Sequence, residues 1–89
     1  MTLWRLEYDP AVVNWLRKAD PPVARRIRNA LMAMIGTGNP RLRGQALTGP
    51  LAGLGRYRVG DYRVICDIQD VRLVVLAIDV GKRGGVNDR

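Results

Sequence analysis

The chain has 89 residues, 47% of them hydrophobic, and fifteen basic against eight acidic side chains give it a net charge of +7. That length suits one domain spanning 1–89, with apolar content for a modest core and too much of it for wholesale disorder. With no histidine, no serine and one cysteine, Ser-His and Cys-His catalysis, a structural zinc site and an internal disulfide are excluded, so neither metal nor cofactor is expected.

Leu3, Trp4, Leu6 and Tyr8 predict a first strand ending at Asp9-Pro10. This opening is too short and too alternating for a signal peptide or a membrane span, which predicts a cytoplasmic protein without membrane attachment. Asp9 as N-cap with Pro10 at the first helical position starts a helix to about Ala19, whose apolar set is Val12, Val13, Trp15, Leu16 and Ala19. The same punctuation at Asp20-Pro21 opens a second helix. There Val23, Ile27, Ala30, Leu31, Met34 and Ile35 recur at helical spacing. Arg25, Arg26, Arg28 and Asn29 fall opposite, either as a solvated face or as a surface for phosphate or a partner.

From Gly36 to Gly53 the chain is punctuated by glycine and proline, a connection long enough to suggest a role. Arg41 and Arg43 lie within it and would reach a ligand if the loop crossed a cleft rim; flexible solubilising residues are the other reading. A hairpin follows. In Arg56-Tyr57-Arg58-Val59-Gly60-Asp61-Tyr62-Arg63-Val64-Ile65-Cys66, Gly60-Asp61 is a type II′ turn signal between two alternating segments. That turn sets Val59 opposite Tyr62, Arg58 opposite Arg63 and Arg56 opposite Ile65. Tyr57, Val59, Tyr62, Val64 and Cys66 then share an apolar face, with Cys66 as a small buried apolar residue, while Arg56, Arg58 and Arg63 gather on the other. Like charges directly opposed weaken a strand pair, so this arrangement makes sense where an anion normally sits.

Gln69-Asp70 marks the next turn, and the branched run Arg72–Val80 predicts a strand covered on both faces and central. Gly81-Lys82-Arg83-Gly84-Gly85 ends it before a short polar tail to Arg89. The fold class is α+β: an N-terminal strand, a helical hairpin and a three-stranded antiparallel meander in one twisted sheet, in the order β-α-α-β-β-β.

Chemistry has few places to sit. Asp61, Asp67, Asp70 and Asp79 read as turn formers, solubilising groups and partners for arginine. Gly49-Pro50-Leu51-Ala52-Gly53 lacks the ending of a P-loop. What remains is arginine, lysine and tyrosine around a phosphate, which suits RNA cleavage because RNA brings its own nucleophile, the 2′-hydroxyl. A protein then needs to force in-line geometry, stabilise the pentacovalent phosphate and assist two proton transfers. Arginine serves the second need well and the role of base poorly, since its pKa lies above ~12.

The hairpin motif Arg56–Val64, followed by a hydrophobic strand ending Val80-Gly81-Lys82-Arg83, resembles the RelE/ParE superfamily of bacterial toxins. It is most like the RelE branch, the ribosome-dependent mRNA interferases. Asn39-Pro40-Arg41 and Leu47-Thr48-Gly49-Pro50-Leu51 resemble that family's middle segment, and the element order agrees. The resemblance implies a catalytic set. Arg56 and Arg58 match a basic pair, one of which takes the 2′-hydroxyl proton. Arg63 matches the arginine that stabilises the transition-state phosphate, and Arg83 the one at the leaving 5′-oxygen. Arg41 and Arg43 of the loop, with Lys82 and Arg89, are the expected substrate contacts. The chain departs from the family at Arg56 and Arg58, where lysines are common, and at the tail, where Arg89 falls near a usual tyrosine.

The resemblance also implies partners: the 70S ribosome with mRNA in its A site, and a RelB-like antitoxin in a heterotetramer that alone carries contact to operator DNA. A ParE-like toxin acting on DNA gyrase by protein contact is the alternative within the superfamily. A basic module that only holds RNA or an acidic protein is the third reading.

Overall fold

The computed structural model describes residues 3–41, 44–47, 49 and 52–82. Strand β1 (Arg5–Tyr8) leads into helices α1 (Pro10–Lys18) and α2 (Pro21–Gly36), followed by β2 (Gln45–Ala46), β3 (Leu54–Val59), β4 (Tyr62–Gln69) and β5 (Val74–Lys82). Five strands form one sheet in the order β1-β5-β4-β3-β2. β1 runs parallel to β5 and the other neighbours are antiparallel. The α+β class and the meander are as the sequence predicts; the short edge strand β2 is an addition. β5 is interior as expected, although the central strand is β4.

Local chemistry accounts for the helices. Asp9 Oδ1 accepts from the Ala11 amide at 2.9 Å, and Arg17 and Lys18 sit in the last turn of α1, where cations suit the helix dipole. Asp20 makes no side-chain cap bond. Pro21 and Pro22 have no N–H groups, so two of the donors that a cap would serve do not exist. Beyond α2, the Thr37 hydroxyl donates to the Met34 carbonyl at 2.8 Å and Gly38 takes a φ of 82°, which turns the chain off the helix.

Both helices lie on one face of the sheet. Val12 and Leu16 of α1, with Ala24, Ile27, Leu31, Met34 and Ile35 of α2, pack on Tyr57, Val59, Val64, Cys66, Ile68, Val75, Ala77 and Val80. Ile27 and Leu31 are each buried completely, which is worth roughly 2–3 kcal/mol apiece. Val13, expected in the apolar set of α1, is exposed, because a helix of nine residues lying on a sheet buries only one narrow stripe.

The ladder between β4 and β5 has one irregularity. Ile65 pairs with Asp79 and Cys66 with Ala77, which leaves Ile78 as the extra residue of a β-bulge. Ala77 and Val80 consequently both face the helices although they are three residues apart.

Candidate active site

Gly60 holds φ at 59° and Asp61 is absent from the positive-φ residues, the signature of a type II′ turn. The pairing that follows is the one read from the turn: Val59 with Tyr62, Arg58 with Arg63, Tyr57 with Val64 and Arg56 with Ile65. Counting from a two-residue turn, Arg58 and Arg63 form a non-hydrogen-bonded pair, the kind in which side chains stand closest. Arg56, Arg58 and Arg63 therefore lie together on the face away from the helices.

Their environments differ. Arg63 is on the central strand and only 7% exposed, on the same face as the buried side chains of Ile65 and Val74. Its neighbour across the ladder on β5 is Gly81, which has no side chain to compete for the space. Arg56 is half-buried and donates through Nη2 to Gln45 Oε1 at 2.8 Å. Gln45 sits on β2 directly opposite Arg56 in the register, so the small edge strand exists where it can orient this guanidinium. Among the described residues Arg56 Nε has no hydrogen-bond partner. Arg58 is exposed. The result is one fixed and one steered guanidinium, with a third free to adapt, on a single rigid ladder.

Two contacts hold this ladder at its turn end. The Trp15 and Tyr62 rings meet edge to face, with centroids 5.7 Å apart and planes at 73°, fastening the start of β4 to α1. Arg26 of α2 covers the turn itself, for a Cβ at Gly60 would stand 2.7 Å from Arg26 Nη2. Arg26 is thus distinguished from the other α2 arginines by its position, which helical spacing alone did not reveal.

The remaining candidates are placed differently. Lys82 pairs with Tyr62, at the same end of the sheet as Arg63 but on a pleat directed to the helix side. Arg41 is elsewhere: its Nη1 and Nη2 donate to Asp70 Oδ1 and Oδ2 at 2.7 and 2.8 Å. Asp70 follows the far end of β4, about 20 Å along the strand from Arg63. The pairing holds the Asp70 carboxyl below its usual value and raises Arg41. Arg43, Arg83 and Arg89 lie outside the described residues.

Two described residues of the long connection pack against Tyr57 of β3. Pro40 is buried and its carbonyl accepts a hydrogen bond from the Tyr57 hydroxyl, while Gly44 passes so close to the Tyr57 ring that a Cβ would clash with it. Burial pushes the Tyr57 hydroxyl up to about 12 and the Cys66 thiol, in the core, also to about 12. Neither group is equipped to exchange protons near neutral pH. No group of three or more potential metal ligands occurs among the described residues.

Comparison with known proteins agrees with this architecture. The sequence model of the family described as the ParE toxin of type II toxin-antitoxin system, parDE, matches residues 6–86. The chain belongs to this toxin family. Among solved structures, the toxin is similar to the RelBE2 toxin–antitoxin complex of Mycobacterium tuberculosis, with TM-score 0.81 and 22% identity over 90% of this chain and 98% of that one. The isolated Escherichia coli RelE toxin gives 0.76 and 20%, covering 96% and 89%. The archaeal RelE–RelB complex of Pyrococcus horikoshii gives 0.71 and 26%, covering 93% and 98%. Comparison with curated protein sequences gives no match. The toxin is a member of the RelE/ParE superfamily, and its fold is similar to that of the RelE toxins.

Proposed function

We propose that the toxin is an endoribonuclease of the RelE type, which cleaves mRNA in the ribosomal A site and so stops translation. The observation that carries this reading is the Arg58–Arg63 pair, with Arg56 one step along the same face. A buried, permanently charged guanidinium on a central strand is a poor investment for stability and a good one for a phosphate whose charge grows in the transition state. In this reading Arg63 stabilises the pentacovalent phosphate, and Arg56 and Arg58 hold its oxygens and the backbone. Arg83 serves the leaving 5′-oxygen, and Arg43, Lys82 and Arg89 contact neighbouring phosphates. Arg41 joins them only by exchanging Asp70 for RNA. No cofactor takes part, because the 2′-hydroxyl is the nucleophile.

The reading includes a cytoplasmic single domain, held inactive by a RelB-like antitoxin in a heterotetramer that contacts operator DNA through the antitoxin. Among the described residues no helix is long and apolar enough to cross a membrane. A groove beside β3 supports the antitoxin partner: Tyr57, Arg58 and Val59 border about 120 Å³ of space against Ala30, Ala33 and Met34 of α2. Apolar side chains of a bound peptide can seat in such a groove.

The family description favours a second reading, a ParE-like toxin that poisons DNA gyrase by protein contact. Inducing the toxin without antitoxin, and mapping mRNA ends alongside gyrase-linked DNA breaks, separates the two. Codon-phased cuts in translated messages support the nuclease; double-strand breaks with intact messages support the gyrase poison. Arg63→Ala should lower cleavage about a hundredfold or more, equivalent to ~3 kcal/mol for one transition-state donor, while antitoxin binding persists.

A further inference from the structure

An RNA-cleaving site built of arginines lacks a proton acceptor. Guanidinium stays protonated near neutrality, and the chain has no histidine to replace it. Among the described strands, the arginine face of the sheet carries three acids, Glu7, Asp67 and Asp79. Glu7 on β1 lies beside Arg5 at 3.6 Å and pairs in register with Leu76. Asp67 accepts from Gln69 Nε2 at 3.0 Å and pairs with Leu54 and Leu76, a row further from Arg63 than Ile65. Among the described strand residues, Asp79, paired with Ile65, is the acid at the level of the arginines.

Its placement follows from the bulge. Strict alternation from Ala77, which faces the helices, would drive Asp79 into the core and turn Val80 away from it. The observed register inserts Ile78 as an extra residue, so Val80 returns to the core while Ile78 and Asp79 both take the opposite face. Asp79 then shares a row with Ile65 and Arg56 and stands diagonal to Arg63, whose direct neighbour on β5 is Gly81. Bulges beside functional sites commonly re-aim one side chain in this way. By register, Arg63 stands diagonal to it on β4, Arg56 and Arg58 lie on β3 two strands away, and on the β1 side Asp9 donates its N–H to the Ala77 carbonyl at 2.8 Å.

Resting on the nuclease reading above, we propose that Asp79 is the general base of the reaction. Its carboxylate takes the proton of the 2′-hydroxyl as that oxygen attacks phosphorus. The bond between phosphorus and O5′ breaks, its electron pair leaves with O5′, and O5′ takes a proton from water. The hydroxide left behind recovers the proton from the Asp79 carboxyl. The products are a 2′,3′-cyclic phosphate and a 5′-hydroxyl, with no oxidant, reductant or metal required.

The test is the pH dependence of single-turnover cleavage of mRNA on ribosomes with a vacant A site, between pH 6.5 and 8.5. With Asp79 as the base, the wild-type rate should not follow hydroxide across this range and should be flat. Asp79→Asn should cleave about a hundredfold or more slower, the usual worth of a general base. Its residual rate should rise tenfold per pH unit as hydroxide takes over. A wild-type rate that itself rises tenfold per unit would assign the base to arginine or hydroxide and overturn the proposal. So would an Asp79→Asn rate within threefold of wild type, or a slow variant that keeps a flat profile, since the latter makes Asp79 only a positioning residue for Arg63. Circular-dichroism melting checks that Asp79→Asn is folded; should it not be, the wild-type profile alone decides. If the wild type cuts no message at all, the nuclease reading falls and takes this inference with it.

Discussion

Replacing Arg58 by glutamate turns the central repulsion of the site into an attraction, and its consequences can be worked from the register. Arg58 and Arg63 are directly opposed on β3 and β4, which puts their Cβ atoms about 4.5–5.5 Å apart. With the charges at about 6 Å, the interaction is ~0.7 kcal/mol in water and ~2.8 kcal/mol at an effective dielectric constant of 20. Arg58 is exposed whereas Arg63 is buried, so the effective value lies toward the lower figure. Arg58→Glu should therefore stabilise the fold by ~1 kcal/mol, which for a domain of this size raises Tm by roughly 4–8 °C. The gain should shrink as salt rises from 20 to 500 mM, because the Debye length falls to a few ångströms. Thermal unfolding monitored by circular dichroism at both salt concentrations measures it. Cleavage should be abolished in the same variant, and a short RNA oligonucleotide should raise the Tm of the wild type alone. A lower Tm for Arg58→Glu, or a gain indifferent to salt, would refute the claim that Arg58 and Arg63 repel each other across the ladder.

Two further perturbations address the scaffold. Gly60→Ala forces a Cβ into a φ of 59° and against the Arg26 guanidinium; the flexible arginine can yield but the backbone cannot. A loss of ~1–2 kcal/mol is expected from the left-handed conformation, read as a lower midpoint in urea. Tyr57→Phe leaves the buried Pro40 carbonyl without its donor and should cost ~1–3 kcal/mol. The sign of the alkaline response follows from burial: Cys66 and Tyr57 keep their protons in the fold up to about 12, while the unfolded chain releases them at their ordinary values of 9.0 and 10.0. Stability is therefore fully present below pH 9 and falls as pH rises toward 12, by up to ~1.4 kcal/mol per unit for each group. Cys66→Ala combined with Tyr57→Phe should flatten this decline in urea titrations from pH 8 to 11. A slope unchanged in the double variant would contradict the assignment.

The hairpin was legible in the sequence because its information is local. One glycine able to hold positive φ, followed by aspartate and flanked by alternating segments, sets the register, and the register brings Arg56, Arg58 and Arg63 to one face and the core residues to the other. Helix starts at Asp9-Pro10 and Asp20-Pro21 are local for the same reason. Other features depend on groups far apart in the chain. A two-residue strand such as Gln45–Ala46 has no period to detect, so neither β2 nor the Gln45 contact to Arg56 could be anticipated. Arg41 meets Asp70 across 29 positions, and no spacing rule connects a loop arginine to a particular turn. Arg26 is an ordinary exposed helix position until tertiary packing sets it over Gly60. The bulge at Ile78 is a further case. The run Val74–Ile78 is apolar on both faces, so its pattern sets no register; Asp79, which strict alternation from Ala77 would put in the core, is the one mark of the slip, and pairing with β4 decides which way it points. Local turn chemistry thus determined which cations meet. The long-range ladder decided which amide steers them and which carboxylate stands among them, because both depend on neighbours that only the folded chain supplies.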